Sequence, residues 1–278
     1  MSELTITSTG AALGAFIERV DVSKPLSKTD RLYVQGAFWE HSVLVFREQQ
    51  LTEVEQVAFS RNFCDPVAHP TNVSNVGTIP EICIIANVEE DGKVIGALGN
   101  NEVSFHSDLA FRPEPGSVSV LYAVDAPSDS GHTSWASGIS AYNALDAKSR
   151  GRFEMVEINY SHSKVDYRPE TPAVHPLIST HPESGRKTMY FSSSHASCVV
   201  NEDENESSSM VDRLKAYTTE DRFVWTHRWQ SGDLVMWDNR TTQHCRSPVD
   251  ETERRLMRRT QAVGFPSGNP ATNLREEA

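Results

Sequence analysis

The feature that most constrains this chain is the run of short β-type segments that begins after residue 80: EICIIAN, SVSVLYAV, MVEINYS, TMYFS, RFVWTHRW, DLVMWDN and RLMRRTQAV. Each is rich in β-branched and aromatic side chains, and turn-forming residues separate them. Many short strands with regular turns fold as a sandwich or a barrel, which covers apolar faces that a single sheet would leave in water. The first third of the chain mixes signals. SVLVFR at 42–47 reads as a strand, and Thr52 to Glu55 reads as a capping box opening an amphipathic helix through Phe63. Another helix is expected from about Lys28 to Glu40, and helical insertions near 138–154 and 206–218. The acidic, Ser-rich NEDENESSS at 201–209 reads as a solvated loop.

A chain of 278 residues is one large domain or two small ones. No repeat and no Pro/Ser/Gly linker divides it, so a single domain over 1–278 is expected. Acidic residues outnumber basic ones by 38 to 26, for a net charge of −12, which argues against nucleic acid or an anionic membrane as partner. Cys64, Cys83, Cys198 and Cys245 lie far apart with no CxxC pair, the usage expected in a reducing cytoplasm. Neither a secretion leader nor a membrane span is expected, since no sufficiently long apolar run is present.

The segment Phe105-His106-Ser107-Asp108 carries the first chemistry. In a strand, residues two apart share a face, so His106 and Asp108 can present an imidazole and a carboxylate to one point. Such a triplet alone is commonly a surface pair. Its weight comes from His244, 138 residues later, in WDNRTTQHC at the exit of a β segment. Two His and one carboxylate make the facial triad of non-haem Fe(II) oxygenases, which leaves three positions open for a co-substrate and O₂. Eleven residues beyond His244, in ERRLMRRTQAV, Arg255, Met257 and Arg259 alternate on one face of an expected strand. These arginines could be solvated on a basic edge strand. An inward arginine, by contrast, needs a paired anion, and its fork suits a carboxylate. With the His/Asp/His set beside it, Arg255 reads as the anchor for the distal carboxylate of a 2-oxo acid.

The ordered segments FHSD, SGHTSWASG, GDLVMWDNRTTQH and ERRLMRRTQAVG resemble the taurine/2,4-dichlorophenoxyacetate dioxygenase family of Fe(II)- and 2-oxoglutarate-dependent enzymes. The likeness runs nearly end to end, through GAFIERVDVSKPLS, SVLVFREQQLT, VAFSRNF and HPLISTHPESGRKTMYF. The resemblance implies a mainly β fold with flanking helices, a double-stranded β-helix or jelly roll, with helices on one side and iron at one mouth. It implies His106, Asp108 and His244 as ligands of Fe(II), and Thr133 with Arg255 as the holders of 2-oxoglutarate. Arg259, His69 and, more loosely, Asn101 and Leu109 match positions that touch substrate. The family often has Gly-Gly-Asp-Thr where this chain has Ser130-Gly131-His132-Thr133, and the stretch between Tyr160 and His175 is short. The substrate rim is therefore not transferable.

The implied reaction hydroxylates a C–H bond of a small organic substrate with release of succinate and CO₂. A second inward arginine, Arg259, needs its own anion, so the substrate is expected to be a carboxylate or sulfonate with an apolar or aromatic body, an aryloxyalkanoate among them. Arg259 pairing with an acidic side chain of the protein is the alternative. Two rival functions also use these residues: a non-catalytic jelly-roll binding protein, and a Zn(II)-dependent hydrolase built on the same His/Asp/His set. The hydrolase leaves Arg255 and Thr133 without a purpose. Relatives in the family commonly self-associate, so a homo-oligomer is compatible with the resemblance.

Trp225, Trp229 and Trp237 are expected in the core between sheets, with Trp237 bordering the metal site. Cys245 should point away from the metal. His41, His132, His162, His175, His181 and His227 have no partner spacing that singles them out, and His195 is the exception expected near the pocket.

Overall fold

The computed structural model describes residues 3–68, 78–90, 92–164 and 167–264. The first half contributes β1 (Thr5–Ser8), β2 (Ala15–Glu18), α1 (Lys28–His41), β3 (Val43–Phe46), α2 (Glu53–Ser60) and β4 (Cys83–Ala86). Then come β5 (Glu89–Glu90), β6 (Lys93–Val94), β7 (Ala97–Leu98), β8 (Val103–His106), β9 (Gly116–Asp125) and β10 (Thr133–Ser137). An insertion follows, with α3 (Gly138–Asn143), α4 (Ala147–Phe153), β11 (Glu157–Tyr160), β12 (Ala173–Pro176), β13 (Ile178–Thr180), β14 (Lys187–Met189), β15 (Ala196–Val199) and α5 (Glu204–Thr218). The last strands are β16 (Val224–His227), β17 (Leu234–Asp238), β18 (Thr242–Arg246) and β19 (Leu256–Val263).

Eight strands form a major sheet in the order β1-β2-β3-β17-β9-β19-β4-β7, and four form a minor sheet in the order β16-β10-β18-β8. The two sheets make the expected jelly roll. Strands β3, β9 and β17 are buried on both faces because both are covered. On β17, Leu234 and Met236 pack outward with Leu44, Phe46, Val118 and Val120, while Val235 and Trp237 pack inward with Val43, Val45, Leu121 and Trp135. That period of two divides one strand between two cores.

Helices α1 and α2 close the outer face of the major sheet through Val34, Ala37, Phe38 and Phe59. The expectation of helices on one side only is corrected here: α3, α4 and α5 pack elsewhere. Met210, Val211 and Leu214 of α5 join Ile158, Tyr160, Leu177 and Met189 in a third cluster. The strands of the insertion have an apolar face of their own, which the sandwich does not cover.

Local signals account for the helix ends. The Thr52 hydroxyl accepts from the Glu55 amide and the Glu55 carboxylate accepts from the Thr52 amide at 2.7 Å, a complete capping box. Helix α2 ends at Ser60 rather than Phe63. The solvated loop expected at 201–209 is half wrong, since α5 begins at Glu204. The Asp203 carboxylate accepts from the amides of Asn205 and Glu206, while Ser207 and Met210 are buried beneath. No helix among the described residues is long and apolar enough to cross a membrane.

Candidate active site

Strand pairing brings the distant histidines together. His106, at the end of β8, stands opposite His244 of β18, and their rings lie 4.2 Å apart. Asp108 follows two residues later, in the turn leading to β9. Its Oδ1 is 3.6 Å from His106 Nε2 and 3.9 Å from His244 Nε2. One donor atom from each of the three lies within 4.8 Å of the others. His106 Nδ1 donates to the Ser104 carbonyl at 2.9 Å, which leaves the Nε2 lone pair for the cluster. The Trp237 ring borders His244 at 4.9 Å.

Asp108 is buried and held from three sides. Ser119 of β9 donates its hydroxyl to Oδ2 at 2.7 Å, and that hydroxyl accepts from Asn239 Nδ2 at 3.0 Å and Gln261 Nε2 at 3.3 Å. The Asn239 side-chain oxygen accepts in turn from the Asp108 amide and from Trp237 Nε1. Oδ1 accepts from Arg259 Nη1 at 3.2 Å. The turn itself needs a left-handed Leu109, at φ 55°, and a glycine at 116. A Cβ on Gly116 would meet the Asp108 carbonyl oxygen at 2.7 Å.

Burial alone would raise the Asp108 carboxyl, but Arg259, His244 and His106 together hold it well below the usual carboxylate range. Burial and then the neighbouring His106 push His244 down to about 3, and burial with His106 and His162 does the same to His195. At neutral pH Asp108 is therefore a carboxylate and His244 an uncharged imidazole, the donor state that a divalent transition metal requires.

Two positions farther along the same ladder lies a cationic pocket. Thr133 of β10 stands opposite Arg246, as Trp135 does opposite His244. The Thr133 hydroxyl accepts from Trp229 Nε1 at 2.9 Å, which leaves its own proton free to donate. Arg255 is 2 % exposed, and its Nε and Nη1 have no partner among the described residues. Burial, then Arg246, lowers its guanidinium to about 9. Its main-chain amide donates to the Asn87 side chain at 2.8 Å. Gly131, at φ 63°, lets it lie close, because a Cβ there would sit 3.2 Å from Arg255 Nε.

The positions expected to touch substrate divide. His69 lies outside the described residues. Asn101 is exposed, and its carbonyl rather than its side chain takes part, accepting from Arg246. Leu109 is buried directly behind Asp108. Arg259 faces inward with Arg255 and Met257, and it pairs with Asp108 while its Nε is buried and unpartnered among the described residues. The alternative of a protein acid as partner for Arg259 is thus realised, with a donor to spare. His195 is near the cluster as expected, its ring 6.0 Å from that of His106 and 5.0 Å from that of Phe111. His162 and Tyr167 extend this row of rings. Cys245 faces away and is paired with Ser134. His181 and His227 are buried against Asp238 and Asp233, at 2.8 and 2.9 Å. No sequence motif marks Ser119, Asn239 or Arg246, although Arg246 shares the face of His244 by the period of two.

Residues 5–261 match the family model described as taurine catabolism dioxygenase TauD, TfdA family. An alpha-ketoglutarate-dependent 2,4-dichlorophenoxyacetate dioxygenase of Cupriavidus pinatubonensis is 33% identical over 274 residues, covering 90% of this chain and 94% of that protein. A pentalenolactone F synthase of Streptomyces arenae is 29% identical over 297 residues, with 97% of each chain covered. Among solved structures, AAD-2 in complex with Mn(II) and N-oxalylglycine superposes with a TM-score of 0.79 at 28% identity, over 95% of this chain and 98% of that one.

Proposed function

The chain belongs to the TauD/TfdA family of taurine catabolism dioxygenases, and from that premise we propose an Fe(II)- and 2-oxoglutarate-dependent dioxygenase that hydroxylates a small anionic organic substrate. The observation that carries this reading is a pairing of two sites along one ladder. His106, Asp108 and His244 converge within 4.8 Å, and the guanidinium of Arg255, its Nε and Nη1 without a partner among the described residues, lies in the pocket beyond them. A buried arginine without an anion is costly, and a five-carbon 2-oxo diacid places one end at the metal donors and the other at Arg255. The Cupriavidus pinatubonensis relative is alpha-ketoglutarate-dependent, and AAD-2 is in complex with Mn(II) and N-oxalylglycine.

In this reading His106, Asp108 and His244 hold Fe(II), while Thr133 and Arg255 hold the distal carboxylate of 2-oxoglutarate. Bound iron supplies O₂ chemistry that couples decarboxylation of 2-oxoglutarate, to succinate and CO₂, with oxidation of the substrate C–H bond. The protein's own share is positioning and charge. Ser119 keeps one oxygen of Asp108 occupied, so the other faces the imidazoles. Trp237 and Met257 keep the inner wall apolar and dry. Arg259, with its spare Nε, is assigned to the acid group of the substrate, and the rings of His195, Phe111, His162 and Tyr167 to an aromatic body. Leu109 backs the Asp108 turn, and His69 and Asn101 are assigned to the substrate rim by resemblance alone.

The substrate is thus a small carboxylate or sulfonate, with aryloxyalkanoates first, and no nucleic acid or membrane is involved. Four free cysteines fit a single cytoplasmic domain. Succinate release with Fe(II), ascorbate and 2-oxoglutarate, measured across a panel of aryloxyalkanoates, alkyl sulfates and sulfonates, tests the proposal. We expect coupled turnover with at least one acid that is lost in His244→Ala. Hydrolysis of a substrate without 2-oxoglutarate consumption would overturn it.

A further inference from the structure

Arg246 is buried, yet the reading above gives it no task. It lies two places past His244 on β18, so it shares the inward face of that strand. Among the described residues only its Nη2 is engaged, donating to the carbonyls of Leu98 at 3.3 Å, Gly99 at 3.0 Å and Asn101. Its Nε and Nη1 are buried with no partner among the described residues, as are Nε and Nη1 of Arg255. Neither guanidinium forms an ion pair with an acidic side chain among the described residues.

The two arginines meet at one place. Arg246 stands opposite Thr133, and Arg255 lies against Gly131, two residues earlier on the same stretch. Both are seated on the loop between β7 and β8. Arg246 grips three of its carbonyls, while the Asn100 side chain accepts from Asn87 at 2.7 Å, and Asn87 in turn holds the Arg255 amide. Two buried cations that face each other without a counter-ion repel, and burial strengthens the repulsion. One carboxylate relieves it. Its two oxygens offer about four acceptor sites, enough for two guanidinium groups and the Thr133 hydroxyl. At about 3.4 Å per residue, the pocket lies roughly 7 Å along the strand from His244.

We propose that Arg246 and Arg255 form a two-arginine clamp on the distal carboxylate of the 2-oxo diacid, making Arg246 a second determinant of co-substrate choice. This rests on the co-substrate reading above. The guanidinium of Arg246 is positioned by the 98–101 carbonyls and turns its unpartnered edge to the ligand, where it adds charge and hydrogen bonds that a single arginine lacks.

The test uses Mn(II)-loaded protein titrated calorimetrically with 2-oxoglutarate and with 2-oxovalerate, which has the same length but a methyl in place of the distal carboxylate. Arg246→Gln should weaken 2-oxoglutarate binding by about tenfold or more and leave 2-oxovalerate unchanged, because only the former loses a charge partner. Arg246→Lys should recover part of the loss and keeps a cation should the glutamine variant fold poorly. Equal weakening of both acids with a lowered Tm would mean that Arg246 only props the loop, and the clamp would be wrong. If Arg255→Gln impairs 2-oxoglutarate binding while Arg246→Gln does not, the clamp fails and the proposed function stands. If the wild-type protein does not prefer 2-oxoglutarate to 2-oxovalerate, both fall.

Discussion

Replacing Ser119 with alanine isolates the support of Asp108 from the donors themselves. The serine is fully buried and donates to Asp108 Oδ2 at 2.7 Å, while accepting from Asn239 and Gln261. Alanine leaves a buried carboxylate oxygen without its donor and two amide groups without an acceptor. A hydrogen bond to a charged group contributes about 1.5–3 kcal/mol. In a chain of this size each kcal/mol shifts Tm by about 2–4 °C, so a fall of roughly 3–12 °C is expected. The more specific consequence concerns metal: a carboxylate freed from its outer hydrogen bond loses orientation, and such changes typically cost about 10–100-fold in affinity. The assay is calorimetric titration of metal-stripped protein with Mn(II), beside a melting curve. Val235→Ala, a core truncation on β17, is the control that lowers Tm without touching the Asp108 network. If Ser119→Ala binds Mn(II) as wild type does while its Tm drops as in the control, the serine merely packs and the positioning argument is wrong.

Other perturbations probe different links. Gly116→Ala forces a Cβ to within 2.7 Å of the Asp108 carbonyl and should cost about 1–3 kcal/mol, read as a lower Tm together with weaker Mn(II) binding. Arg259→Gln should raise KM for an acidic substrate while the affinity for 2-oxoglutarate stays near that of wild type. A neutral best substrate indifferent to the change would refute this. Asp238 is buried, which alone would raise its carboxyl, but Arg240 and His181 hold it far below the usual range. With the folded value depressed, its stabilisation is complete above the unfolded value of about 3.9 and is lost as pH falls below it. Asp238→Asn should therefore be markedly less stable than wild type in denaturant melts at pH 7, with the gap narrowing below about pH 4.

The strands were legible because apolar runs on β3, β9 and β17 are bounded by turn residues, and the histidine pair because one member stands in a His-x-Asp triplet at the end of β8 and the other lies within the β-type segment that becomes β18. What pairs with what was less so. The period of two placed Arg255, Met257 and Arg259 on one face, but only the register of β19 with β9 and β4 shows that face turned inward. The acidic run that opens α5 misled because its charges are exposed while Ser207 and Met210 below them are buried; a helix can be polar on one side and still pack. Ser119 looks like any small residue in SVSVLYAV, and its role exists only because β9 passes beneath Asp108. Arg246 follows a cysteine that faces the opposite way, so its neighbour gave no hint of a pocket.

Strand β19 occupies a position with consequences for how the molecule is made. It is the last strand among the described residues, yet it sits inside the major sheet, between β9 and β4. Until it is synthesised, β9 and β4 each present an open edge to the surroundings, and exposed edges of this kind recruit other chains. At about 5–20 residues per second, roughly 7 to 26 s separate the emergence of β9 from that of β19. The nascent protein must spend that interval with its widest sheet split, a window in which chaperone binding and aggregation compete. A chain cut short before Leu256 keeps all three proposed metal donors in its sequence and loses the strand that would join the two halves of the sheet.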